Sequence, residues 1–233
     1  MDATTKFMSA LDADYRKETG LSARSDYSIF YSRIRPSEVL VIGYNPGGNP
    51  ETWHESQLAS RAFYENDEHE YVDCHYPIAT AMRSFLVQSL SLPNEGRIRQ
   101  IPKINLIFRR SRSQNHLGSN EKSYLGEAKP FVERILARVA PRLIIVEGMT
   151  TLSEFGRMYC SAVSSDSRQP EITTPNGPRP ARLFKAAQAV LNVTKRPIHL
   201  IAIGHPSKYS PRPQWTQVID RARTLIQEMV IAI

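Results

Sequence analysis

Four short aliphatic runs, at residues 39–42, 103–108, 143–146 and 198–203, are separated by segments of helical period, and this alternation leaves few architectures open. A strand buried on both faces reads as a continuous apolar run, and parallel neighbours need helical crossovers between them. The pattern predicts βαβ units and a three-layer α/β/α sandwich around a central four-stranded, mainly parallel sheet. A chain of 233 residues without a marked linker is read as a single domain, residues 1–233. Its hydrophobic content of 41% and charged content of 23% exclude global disorder.

The connecting segments carry helix signals. Phe7, Leu11 and Tyr15 recur at i, i+4, i+8 within residues 4–19, and Gly20 supplies a stop. Ile78, Met82, Phe85, Leu86 and Leu90 mark a helix over 77–92, and Phe131, Val132, Ile135, Leu136 and Val139 mark another over 126–139. Further helices are expected over about 150–161 and from Pro213 to Met229. Residues 51–76 show no period and are expected to be a loop-rich cover. Residues 164–182, dense in Ser, Pro and Thr, are expected to be an irregular excursion.

In parallel sheets the carboxyl ends of the strands line one edge, where ligands bind. The first run leads into Gly43-Tyr44-Asn45-Pro46-Gly47-Gly48-Asn49-Pro50. Alone, Asn-Pro-Gly is an ordinary turn, because Pro fixes φ, Gly supplies φ > 0 and Asn bonds its own backbone. The other exits present Asn105 with the basic segment 109–116, then Glu147, then His205-Pro206-Ser207-Lys208. Each has a structural explanation by itself. Their recurrence at successive strand ends points to a shared cleft.

Composition narrows the chemistry. Cys74 and Cys160 are the only cysteines, which argues against a zinc or iron–sulfur centre, so no metal and no cofactor are expected. No Gly-x-Gly-x-x-Gly turn follows the first strand and no Walker motif occurs, which ranks a nucleotide-cofactor enzyme of Rossmann or flavodoxin type last. A formal charge of +7 favours a polyanionic partner. The longest apolar runs are too short to span a bilayer and no signal pattern opens the chain, so a cytoplasmic protein without membrane contact is expected.

The motifs resemble those of the uracil-DNA glycosylase superfamily. Gly43-Tyr44-Asn45-Pro46-Gly47 is similar to the Gly-x-Asn-Pro-Gly first motif of the mismatch-specific uracil and thymine-DNA glycosylases, and Gly204-His205-Pro206-Ser207 resembles the second motif of uracil-removing branches. Ile104-Asn105-Leu106 resembles the strand that carries the family's base-reading Asn. Pro130-Phe131 and Pro141-Arg142-Leu143-Ile144-Ile145 resemble its helix and third strand. The likeness runs over about 38–210.

The resemblance implies a monofunctional DNA glycosylase, acting as a monomer on single- or double-stranded DNA that carries a damaged base, in base excision repair. Asn45 would orient the water and His205 would stabilise the departing base. Tyr44, Asn105, Glu147 and an aromatic stacked on the base would form the pocket. Tyr76, Phe63 and Trp53 are candidates for that aromatic, with the spacing favouring Tyr76. Pro46, Gly47, Arg110, Arg112, Ser207, Lys208 and Arg212 would grip the DNA backbone. Two departures stand out: the four cluster-binding cysteines of some branches are missing, and Glu147 replaces an apolar residue, which puts ordinary uracil in question. The alternative is a catalytically inactive nucleic-acid- or nucleotide-binding protein on the same fold.

Overall fold

The computed structural model describes residues 2–21, 26–47, 66–165, 173–174, 177–178, 183–206 and 213–229. Eight strands lie among them: β1 (Val39–Gly43), β2 (Lys103–Asn105), β3 (Leu143–Glu147), β4 (Cys160–Ser165), β5 (Thr173–Thr174), β6 (Gly177–Pro178), β7 (Phe184–Leu191) and β8 (Arg196–Ile203). The helices are α1 (Ala3–Thr19), α2 (Glu70–Asp73), α3 (Pro77–Ser89), α4 (Glu121–Val139), α5 (Met149–Tyr159) and α6 (Pro213–Glu228).

The main sheet has six strands in the order β2-β1-β3-β8-β7-β4. The four aliphatic runs form its parallel part, since β1 pairs in parallel with β2 and β3, and β3 with β8. The expectation of four strands needs correction. Strands β7 and β4 extend the sheet in antiparallel fashion, so it is mixed and six-stranded. The short pair β5–β6 stands apart as a separate ladder. Strand β2 is also shorter than its apolar run: pairing is assigned only over Lys103–Asn105, and Leu106 to Phe108 continue as a buried exit.

Alternation divides the core into two layers. Leu40, Ile42, Ile144, Val146, Leu200 and Ala202 face α1, α4 and α5. Val39, Val41, Leu143, Ile145, Ile201 and Ile203 face α3 and α6. Burying each such aliphatic side chain contributes about 1.5–3 kcal/mol, which explains why both faces of β1 and β3 are fully apolar up to their last residues. The outer edge of β2 is covered by the segment around Tyr27–Ser32, through bridges Phe30↔Ile104 and Tyr27↔Arg109.

The order β2-β1-β3 places a topological switch at β1. The chain passes to one side of β1 for β2 and to the other for β3, which opens a crevice at their carboxyl ends.

Candidate functional site

Register and alternation bring the strand exits together at that crevice. Gly43 is the register partner of Asn105, Ile42 pairs with Val146, and Glu147 pairs with Ile203. Gly43, Lys103, Asn105 and Glu147 therefore project on the face covered by α3 and α6. His205 lies two residues beyond Ile203, at the exit next to that of β3, and is exposed. A Cβ at position 43 would lie 2.2 Å from Asn105 Oδ1 and 2.7 Å from both Glu147 Oε2 and Lys103 Nζ. Only glycine lets these three groups close over the strand end.

Lys103 forms the centre of the cluster and is itself buried. Its ammonium donates to Asn105 Oδ1 at 2.7 Å and to the Ile104 carbonyl at 3.3 Å, and forms an ion pair with Glu147 Oε2 at 3.2 Å. The carboxylate of Glu70 approaches to 3.8 Å, and the rings of Tyr31 and Tyr71 lie 4.9 and 5.9 Å away. Burial works against the charged lysine, but Glu147 and Glu70 outweigh it and raise its pKa above the ordinary value. Burial pushes the Glu70 carboxyl up, with Lys103 pulling it down and Glu147 adding to the rise. The second oxygen of Glu147 accepts from the Tyr71 hydroxyl at 2.7 Å. Burial, followed by the charge of Glu147, raises the pKa of that phenol and keeps it a donor.

Glu70 and Tyr71 come from the one-turn helix α2, which cannot hold itself and is fastened from outside. The ring of His69 caps it, with Nδ1 accepting from the Tyr71 amide at 3.1 Å and Nε2 donating to the Ile101 carbonyl at 2.9 Å. These partners require the neutral ring, and burial lowers its pKa to about 4. Arg83 closes the other end by donating to the carbonyls of Tyr71, Val72 and Cys74. The hydroxyl of Tyr76, at the start of α3, donates to Glu70, while its side chain stays 40% exposed beside the cluster.

The exits of β1 and β2 run side by side. Leu106 and Ile107 donate backbone N–H groups to the carbonyls of Gly43 and Tyr44, and Ser111 donates to that of Pro46. The carboxamide nitrogen of Asn45 donates to Ser111 Oγ at 2.8 Å and to the Pro46 carbonyl at 3.0 Å. Ser111 Oγ already donates to the Ser113 carbonyl at 2.7 Å, so both partners of Asn45 act as acceptors. The amide orientation follows: nitrogen against the protein, oxygen left for another donor.

The expected residues thus divide. Asn105, Glu147, Tyr76 and Gly43 meet in one cluster, with Asn45 at the adjoining exit and His205 beyond β8. Tyr44 is not brought to it. Alternation turns Tyr44 to the opposite face of the sheet, where it packs on the α1/α4 layer and donates its hydroxyl to Glu121. Pro46 is buried, Gly47 and Arg112 are exposed, and Arg110 is half-buried with its backbone N–H on Asp26. Ser207, Lys208, Arg212, Trp53 and Phe63 lie outside the described residues. Sequence reasoning missed Lys103, Glu70 and Tyr71. The one available signal was the Lys-x-Asn spacing of β2, which puts both side chains on one face.

Among the described residues, no group of three or more His, Cys, Asp or Glu side chains is arranged to hold a metal ion, and no helix is long and apolar enough to cross a membrane. No known protein family matches the chain, and no curated protein matches it as a relative.

Proposed function

We propose that the protein is a monofunctional DNA glycosylase of the uracil-DNA glycosylase type, which extrudes a deaminated or damaged base and hydrolyses its N-glycosidic bond, leaving an abasic site. The observation that carries this reading is a pair of half-committed carboxamides at the switch point. Asn45 has an acceptor open, and Asn105 donates from its nitrogen to nothing among the described residues. The parallel centre β2-β1-β3-β8 and the motif order agree with a glycosylase-like fold.

In the proposed reaction the C1′–N bond breaks with its electron pair passing to the base, and the sugar approaches an oxocarbenium ion. A water oxygen then bonds to C1′, and a water proton is released. Asn45 Oδ1 accepts from that water and aims it, but an amide cannot remove the proton, so the chemistry is slow. A neutral His205 donates to the base carbonyl, where negative charge develops. Lys103 remains protonated among its acceptors and is not a nucleophile, in keeping with hydrolysis alone. The charge of +7, with Arg112 and Gly47 exposed near the β1 and β2 exits, suits a phosphate backbone, as would Ser207, Lys208 and Arg212.

The test is incubation with oligonucleotides carrying uracil, hypoxanthine, xanthine or mispaired thymine, followed by hot alkali to cleave at abasic sites. Cleavage is expected for at least one base, with His205→Ala slowing it about 10²–10³-fold and Asn45→Ala about 10²-fold. Tight binding with no cleavage of any of them would instead establish a binding protein on this fold.

A further inference from the structure

An ammonium group has three donors and no acceptor, so the atom of Asn105 that it meets at 2.7 Å must be the carboxamide oxygen. Lys103 donates to Asn105 and Ile104 and its charge is paired with Glu147, which together fix the ammonium in place. The same oxygen lies against Gly43, where a Cβ would approach it to 2.2 Å. Turning the amide over would set an NH2 group against an ammonium, exchanging a charge-assisted bond for donor–donor repulsion. Both oxygens of Glu147 are already engaged, one by Tyr71 and one by Lys103. The nitrogen of Asn105 is the remaining hydrogen-bonding group of this trio with no partner among the described residues.

We propose that Lys103 is a positioning residue of this site: it holds the Asn105 oxygen inward over Gly43, so that Asn105 offers a ligand only its NH2 and selects bases with a carbonyl oxygen rather than an amino group at the facing edge. The inference rests on the glycosylase reading of Asn105 as a base contact and deepens it. A free Asn rotates its amide at little cost and tolerates either a donor or an acceptor. A pinned Asn does not, because an amino group would meet a buried donor and leave both unpaired. The pairing that reads the base is thereby set two residues away from the reader.

Equilibrium binding to single-stranded oligonucleotides tests this without an opposing base that biases extrusion. Two strands carry one 2′-fluoro nucleotide, which resists glycosidic cleavage, with uracil or cytosine as the base, and a third carries a tetrahydrofuran abasic analogue. The wild-type protein should prefer uracil over cytosine. Lys103→Met should narrow that preference at least tenfold while changing abasic-analogue binding less than twofold, an outcome that general loosening of the protein would not give. An unchanged preference in folded Lys103→Met overturns the inference.

A second comparison needs no variant. In a crystal structure of the wild-type protein with the 2′-fluoro uracil strand, Lys103 Nζ should stay hydrogen-bonded to Asn105 Oδ1 while Asn105 Nδ2 meets a base carbonyl. Asn105 turned away from Lys103 with its amide on N3–H, which only the oxygen can accept, overturns the inference while leaving the glycosylase reading intact. If the wild-type protein binds all three strands alike, the glycosylase reading fails and this inference fails with it.

Discussion

Gly43 carries more of the site than any side chain, because three polar groups from β2 and β3 converge where its Cβ would be. Gly43→Ala therefore acts as overpacking against charged atoms. It is expected to cost about 1–3 kcal/mol in urea denaturation and to displace Asn105 from Lys103. A neutral effect on stability would mean that the cluster can move aside freely. At this scale much was legible: Asn45, Glu147 and His205 were each visible as polar residues following an aliphatic run, and Asn105 as a polar residue inside one. Tyr44 was misassigned for a reason the sequence contains, since alternation from Gly43 turns it to the other face. Lys103 was not legible. A lysine is rarely buried unless paired, and its partners Glu70 and Glu147 lie far away in the chain.

At the scale of elements, α2 is the least self-sufficient piece that the site depends on. Its cap works only while His69 is neutral. The folded-state pKa of about 4 lies below the ordinary value of 6.5, so between these pH values the unfolded chain binds a proton that the native ring excludes. The contribution is complete above about pH 6.5 and is lost as the pH falls towards 4, reaching on the order of 3 kcal/mol. His69→Asn retains a capping acceptor that does not titrate there. Relative to this variant, the wild-type protein should lose stability on acidification through that window, measured by urea denaturation at stepped pH. Parallel curves for the two proteins would disprove the role of His69. No periodicity announces α2, because a single turn of Glu-Tyr-Val-Asp spans too few residues to show one, and its order comes from His69, Arg83 and Ile101.

Taken as a whole molecule, the parallel centre was readable because its strands are aliphatic, while the antiparallel extension was not. Strand β7 reads Phe-Lys-Ala-Ala-Gln-Ala-Val-Leu, rich in residues that favour helices. Eight register pairs with β8 override that local preference. Strand β4, Cys-Ser-Ala-Val-Ser-Ser, is largely exposed at the sheet edge and has no apolar alternation to reveal it.

The register that assembles the cluster also orders events in time. Strands β7 and β8 are neighbours in the chain and pair through a short turn, from Leu191↔Arg196 onward. Strand β1 must instead find β2 and β3 from remote parts of the sequence, closing long loops before any contact rewards it. On this ordering Lys103, Glu147 and Glu70 are expected to stay hydrated until the last strands dock. Gly43→Ala should accordingly speed unfolding and leave the refolding rate nearly unchanged in stopped-flow measurements, whereas slowed refolding would move the cluster into the nucleus. In that order the Lys103 cluster closes only in the complete fold, so no half-folded form presents it.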